Sequence, residues 1–144
     1  MALILDTGPL LAAVDRSDRN HEACAGLLES TSEQLAIPAP ILPEVDFWMC
    51  ESVGFEAFLA LLEEIDEGIF RVEELTPGDY GRVRELCRDY AQLRIGFVDA
   101  AVLAVTDDRC PQCDGPLLPG PRPLLGAVRA QLAAHPERRR AAGP

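Results

Sequence analysis

The sequence predicts an α/β fold of three layers, in which helices cover both faces of a small parallel sheet. Three short apolar runs, each bounded by turn signals, predict strands at Leu3–Leu5, Leu35–Ile37 and Phe70–Glu73. Strands that alternate with helices pair in parallel and are covered on both faces. Helical spacing predicts the helices Leu10–Asp15, His21–Ser30, Ile41–Val53, Glu56–Glu67, Pro77–Leu93 and Val98–Val105.

Composition narrows the class of protein. The chain has 144 residues, of which 48% are hydrophobic, and this is enough for one domain with a real core. Its net charge is −11, and all 13 basic residues are Arg. Such a charge argues against broad electrostatic adhesion to nucleic acid or to anionic membranes. It does not exclude an enzyme that binds RNA through a local basic patch and metal ions.

The cysteines and the N-terminus indicate a cytoplasmic protein. The five Cys are an odd number, and no secretory signal is recognisable because no basic region precedes the first apolar run. No apolar run reaches the length of a membrane span. We therefore expect reduced cysteines and no membrane partner.

Three carboxylates stand out because each interrupts an apolar stretch. Asp6 ends the first predicted strand, whereas Glu44 and Asp99 lie in Ile41–Val45 and Gly96–Ala101. Ligands of open α/β sheets bind outside the carboxyl ends of the strands, which is where Asp6 is expected. Three carboxylates that converge need a cation, since unpaired charges are costly to bury.

Each of these acids also has a plain structural explanation. Asp6 could be the N-cap of the helix that follows the first strand, and Asp99 could cap the last predicted helix. Glu44 could simply favour the first turn of its helix. Taken one at a time, the residues do not decide between capping and metal binding.

The order of the acids on this βα background resembles the PIN domain family, and within it the VapC-type toxin ribonucleases of toxin–antitoxin pairs. Leu5–Leu11 is similar to the opening motif, with its metal-binding Asp and following Thr. Pro38–Glu44 resembles the second segment, whose Glu begins a helix, and Arg94–Ala101 resembles the third. The match covers residues 1–105, which we take as the catalytic body.

The resemblance implies an endoribonuclease that depends on Mg²⁺ or Mn²⁺. It implies that Asp6 and Asp99 bind the metal directly, and that Glu44 binds it directly or through water. Thr7 would orient Asp6 or bind a water or phosphate oxygen. Hard carboxylate oxygens are the ligands that these ions prefer. The resemblance further implies an RNA substrate, a cognate antitoxin and a homodimer.

The tail, residues 106–144, departs from the family pattern. The family has a further strand and a fourth acid here, but this tail is rich in proline and contains no apolar strand. Asp114 is nearest to the expected spacing. Cys110 and Cys113 could form half of a zinc site, or they could be incidental. One interpretation is that the tail is read out of frame, in which case activity is impaired.

An inactive scaffold that binds an antitoxin or another partner is therefore the alternative function. Other α/β classes fit less well. A haloacid-dehalogenase-type phosphatase needs a second Asp two residues after the first, where Gly8 stands, and a response-regulator receiver needs a Lys, which the chain lacks. The turn after the first strand is also not the Gly-rich turn of a dinucleotide-binding domain.

Overall fold

The computed structural model describes residues 2–108 and confirms the α/β/α class. Within them a parallel sheet has the strand order β1-β2-β3, formed by β1 (Ala2–Ile4), β2 (Gln34–Pro38) and β3 (Phe70–Glu73). Leu3 lies beside Leu35, and Leu35 lies beside Phe70. The three strands lie within one residue of their predicted positions.

Helices fill the connections between the strands and follow the last one. The described residues contain two short 3₁₀ turns, Ala39–Ile41 and Ala91–Leu93. The α-helices are α1 (Thr7–Val14), α2 (His21–Ser30), α3 (Leu42–Ser52), α4 (Phe55–Asp66), α5 (Pro77–Asp89) and α6 (Phe97–Asp108).

Helix α1 begins three residues earlier than predicted. The Gly8-Pro9 pair suggested a turn, but both residues lie in the first turn of the helix. Proline is tolerated there because the first backbone N–H groups of a helix have no partner within it. The helix therefore starts immediately after Asp6, which becomes its N-cap.

Helix α5 has the predicted start and an earlier end. The Thr76 side chain accepts from the backbone N–H of Asp79, and the Asp79 carboxylate accepts from that of Thr76. This capping box satisfies two N–H groups that the helix itself leaves free. The helix stops at Asp89 instead of continuing to Leu93, and Arg94 follows with a left-handed backbone (φ 52°).

The core of the described chain has two parts. The larger part packs the sheet against α1–α4, and the smaller part lies between α5 and α6. Burial of these apolar side chains is the main force that holds the helices on the sheet. The fully buried side chains of the larger part include Ala13, Ala25, Leu35, Ile37, Ile41 and Val45, and those of the smaller part include Ala100, Ala101 and Ala104.

Across residues 2–108, none of the helices combines the length and the apolar character that a bilayer-spanning segment needs.

Candidate functional site

Asp6 lies at the carboxyl end of the first strand, as predicted. The backbone N–H of Leu5 donates to the carbonyl of Ala36 (2.9 Å). This hydrogen bond extends the contact between β1 and β2 to the residue before Asp6. Asp6 itself is exposed, and its Oδ1 accepts from the backbone N–H of Thr7 (2.8 Å). One carboxylate oxygen is therefore used as a helix cap, and Oδ2 accepts no hydrogen bond within the described residues.

Thr7 is buried beside Asp6, and its hydroxyl is an unusual feature of this edge. Thr7 Oγ1 has no hydrogen-bond partner among residues 2–108. A buried hydroxyl without a partner is costly, because folding removes it from water. A ligand or an ordered water at this point would satisfy it, which agrees with the supporting role predicted for Thr7.

Glu44 reaches the same edge of the sheet from the neighbouring strand. Strand β2 ends at Pro38, a 3₁₀ turn follows, and α3 begins at Leu42. Glu44 lies in the first turn of α3 and is half-buried. Because β1 and β2 are adjacent and parallel, Glu44 and Asp6 both follow carboxyl ends of the sheet.

Asp99 lies in the first turn of α6 and is exposed. Its Oδ2 accepts from the backbone N–H of Gly96 (3.2 Å), which stabilises the start of the helix. Helix α6 contacts both β2 and the 3₁₀ turn that leads to α3. Asp99 therefore belongs to an element that packs against the segment between β2 and Glu44.

Asp6 and Glu44 follow the carboxyl ends of two adjacent strands, and Asp99 starts a helix that contacts β2, but the three acids do not form a cluster. Over residues 2–108, no three His, Cys, Asp or Glu side chains lie close enough together to hold a metal ion. Asp6 and Asp99 each perform the capping role that the sequence left open. The fourth predicted ligand, Asp114, lies outside the described residues, as do Cys110 and Cys113.

Comparison with known proteins decides the family. The PIN domain family matches residues 3–107, which is most of the chain. The chain belongs to the PIN domain family. The match includes all three acids and extends only two residues into the tail, residues 106–144, in which the sequence departs from the family pattern.

Two proteins similar to this PIN domain are VapC proteins by name, one a ribonuclease and the other a toxin. The chain is 28% identical over 105 residues to ribonuclease VapC26 of Mycobacterium tuberculosis, covering 73% of this chain and 78% of that protein. The crystal structure of VapC20 of Mycobacterium tuberculosis, described as a sarcin-ricin loop cleaving toxin, shares the fold with a TM-score of 0.67. It is 21% identical, and the match covers 75% of this chain and 82% of that one. The predicted resemblance to VapC proteins is confirmed.

One ionisable residue of the PIN domain escaped the sequence analysis. Glu64 lies in α4 but is only 4% exposed, and it lines a small core cavity with Leu28, Met49 and Phe70. Burial, with smaller contributions from Glu67 and Glu63, raises the pKa of the Glu64 carboxyl to about 8. Helical spacing was the missed signal, since Glu64 lies three residues after Leu61 on the buried face.

Proposed function

We propose that this PIN domain is a metal-dependent endoribonuclease and the toxin of a toxin–antitoxin pair. The observation that carries the proposal is the match of residues 3–107 to the PIN family, in a chain where Asp6 follows β1 and Glu44 and Asp99 lie in the first turns of α3 and α6. The names of the two VapC relatives support RNA hydrolysis as the reaction.

The residues fit a divalent ion such as Mg²⁺ or Mn²⁺ in their donor chemistry. Asp6 and Asp99 each use one carboxylate oxygen as a helix cap, so the other oxygen can bind a cation. Glu44 adds a third carboxylate at the N-terminus of α3. Mg²⁺ is commonly held by one or two carboxylates and keeps several waters, so the absence of a tight cluster of three within the described residues does not oppose binding.

The bound ion would supply an activated water and would neutralise charge on the phosphodiester under attack. The chain would hold this ion through Asp6 and Asp99, with Glu44 as a direct ligand or as the acceptor of a bound water. The buried Thr7 hydroxyl lies next to Asp6 and can donate to a phosphate oxygen or a water at this edge. Asp114 remains our proposal for a fourth ligand.

The test is cleavage of RNA by the purified chain with Mn²⁺ or Mg²⁺, with and without EDTA. We expect cleavage that EDTA abolishes and that added Mn²⁺ restores. The matched control is Asp6→Asn purified in the same way. If this variant is inactive, the cleavage does not come from a contaminating nuclease. Cleavage that persists in EDTA, or that Asp6→Asn retains in full, would show that the proposed metal chemistry is wrong.

The alternative function is a catalytically impaired scaffold that binds an antitoxin or another partner. It is favoured by the lack of three gathered acids in residues 2–108 and by the altered tail sequence. A folded chain that binds RNA or an antitoxin but shows no metal-dependent cleavage would support this alternative.

The proposed partners are RNA, a cognate antitoxin and a second copy of the chain in the cytoplasm. The homodimer is supported by Phe47 and Trp48 on α3, which are 57% and 47% exposed and contact each other edge to face. Large aromatic side chains that remain exposed in this way commonly mark protein contacts.

A further inference from the structure

Helix α5 and the start of α6 carry an exposed pair of aromatic side chains. One of them, Phe97, is two residues before Asp99 in the sequence. The rings of Tyr80 and Phe97 are stacked, with centroids 6.4 Å apart and planes inclined by 25°. Tyr80 is 55% exposed and Phe97 is 49% exposed. The α5–α6 contact is already filled by buried residues such as Val83 and Ala100, so packing alone does not explain why both rings face solvent.

The segment that carries this pair is positively charged, whereas the chain as a whole is strongly acidic. Residues 80–97 contain four Arg and two acids, whereas the rest of residues 1–108 contains three Arg and 20 acids. Arg84 and Arg88 are exposed and follow Tyr80 at intervals of four residues, which places them along one side of α5. Arg94 is exposed in the turn that leads to α6. The surface therefore combines positive charge with aromatic faces.

This combination matches the chemistry of single-stranded nucleic acid. Aromatic side chains stack on unpaired bases, and Arg side chains neutralise the phosphates that link them. A duplex offers its phosphates but not its base faces, because its bases are already stacked on each other. Protein interfaces also use aromatic and Arg side chains, so the test must report base stacking itself and not only binding.

We propose that Tyr80 and Phe97 form a stacking platform for an unpaired RNA base, and that Arg84, Arg88 and Arg94 hold the adjoining phosphates. Phe97 and Asp99 both lie in the first turn of α6, so the platform is on the helix that carries one of the proposed metal ligands. The platform selects single-stranded RNA and positions it for cleavage. This inference rests on the proposed function, since it names how the same site recognises its substrate.

The test is binding of a short fluorescein-labelled single-stranded RNA in EDTA, measured by fluorescence anisotropy. Loss of one base–aromatic stack typically weakens binding about 5-fold or more, so we expect this effect for Tyr80→Ala and for Phe97→Ala. Tyr80→Phe keeps the ring and should bind normally. Phe55→Ala is the matched control, because Phe55 is equally exposed but lies on α4.

The Arg residues are tested by the salt dependence of the same binding. Each phosphate contact contributes about 0.7 to the slope of log K against log salt for single strands, so Arg84→Ala and Arg88→Ala should each lower that slope. Arg19→Ala, at an exposed position before α2, should leave it unchanged. A duplex of the same sequence should bind more weakly and should not respond to Tyr80→Ala.

A base analogue reports stacking directly. An RNA that contains 2-aminopurine should lose fluorescence on binding to the unchanged chain, and Tyr80→Ala should remove this quenching. Thermal unfolding of every variant separates a local effect from a loss of folding.

The outcomes distinguish the platform from the ribonuclease. Binding by Tyr80→Ala and Phe97→Ala within twofold of the unchanged chain, while that chain cleaves RNA, overturns the platform alone. Platform-dependent binding without metal-dependent cleavage overturns the ribonuclease alone. A folded chain that neither binds nor cleaves single-stranded RNA overturns both.

Discussion

Asp6 has one observed role and one proposed role, which one substitution can separate. As the N-cap of α1 it accepts from the N–H of Thr7, and as a carboxylate it is proposed to bind the metal. Asn is about as good an N-cap as Asp, but it carries no charge for a divalent ion. We therefore expect Asp6→Asn to lower RNA cleavage at least about 100-fold, the scale of a lost catalytic electrostatic contact.

The same variant should remain folded. Its melting temperature should lie within a few degrees of the unchanged chain, because the cap is retained. Asp6→Ala, which removes both roles, should lose activity and also about 1 kcal/mol of stability. Full activity in Asp6→Asn would mean that Asp6 is a cap alone.

Glu64 should make stability depend on pH. Its pKa is about 8 in the folded chain against an ordinary value of 4.5, so between these pH values the folded state holds a proton that the unfolded state releases. Stability from this group is therefore greatest at and below about pH 4.5 and is lost as the pH rises to about 8, by on the order of 5 kcal/mol.

Glu64→Gln removes the titration and should flatten the unfolding free energy between pH 5 and 8 in urea denaturation. Glu56→Gln is the matched control, because Glu56 is exposed on the same helix and does not contribute to the raised pKa of Glu64. If Glu64→Gln retains the full pH dependence of the unchanged chain, another group is responsible for it.

At the scale of the helix, α5 depends on its capping box. Thr76 and Asp79 satisfy each other's backbone N–H groups at the start of the helix that carries Tyr80. Thr76→Ala should cost about 1 kcal/mol in the free energy of unfolding, measured by urea denaturation. Ser52→Ala, at the exposed end of α3, is the control. A loss for Thr76→Ala no larger than that of the control would show that the box does not stabilise the helix.

The element boundaries show what local sequence signals can predict. Thr76-Pro77 predicted the start of α5 because a cap and a first-turn proline are properties of a few neighbouring residues. The end of α5 was predicted four residues too late, since nothing in the sequence marks Arg94 for a left-handed backbone. The start of α1 was missed because Gly-Pro is compatible with both a turn and a first helical turn.

At the scale of the whole molecule, the proposed homodimer can be measured in solution. If the exposed Phe47 and Trp48 of α3 lie in the dimer contact, Phe47→Glu should shift the chain toward the monomer in sedimentation velocity. Introducing a charge into an apolar contact is costly because the charge loses its water. The control is Phe55→Glu on α4. An unchanged dimer in Phe47→Glu, or a monomer in the unchanged chain, would contradict the assignment.

The sequence predicted the fold better than the site. Apolar runs separated by helical segments were enough for the order and direction of the strands, since parallel pairing follows from the crossover helices. Asp6 after β1, and Glu44 and Asp99 near helix starts, also lie where the sequence placed them, whereas their shared metal site stays a prediction. The burial of Glu64 and the stacking of Tyr80 on Phe97 depend on how helices pack, which no single segment specifies.

The central claim is that the three acids bind one divalent ion although they are not gathered into a cluster within residues 2–108. The most direct measurement is Mn²⁺ binding by the purified chain, followed by electron paramagnetic resonance of the free ion. We predict binding that Asp6→Asn, Glu44→Gln and Asp99→Asn each weaken about tenfold or more. Asp46→Asn should leave it unchanged, because Asp46 lies two residues after Glu44 on α3 and faces another side of the helix. Equal Mn²⁺ affinity in the unchanged chain and in all four variants would contradict the claim.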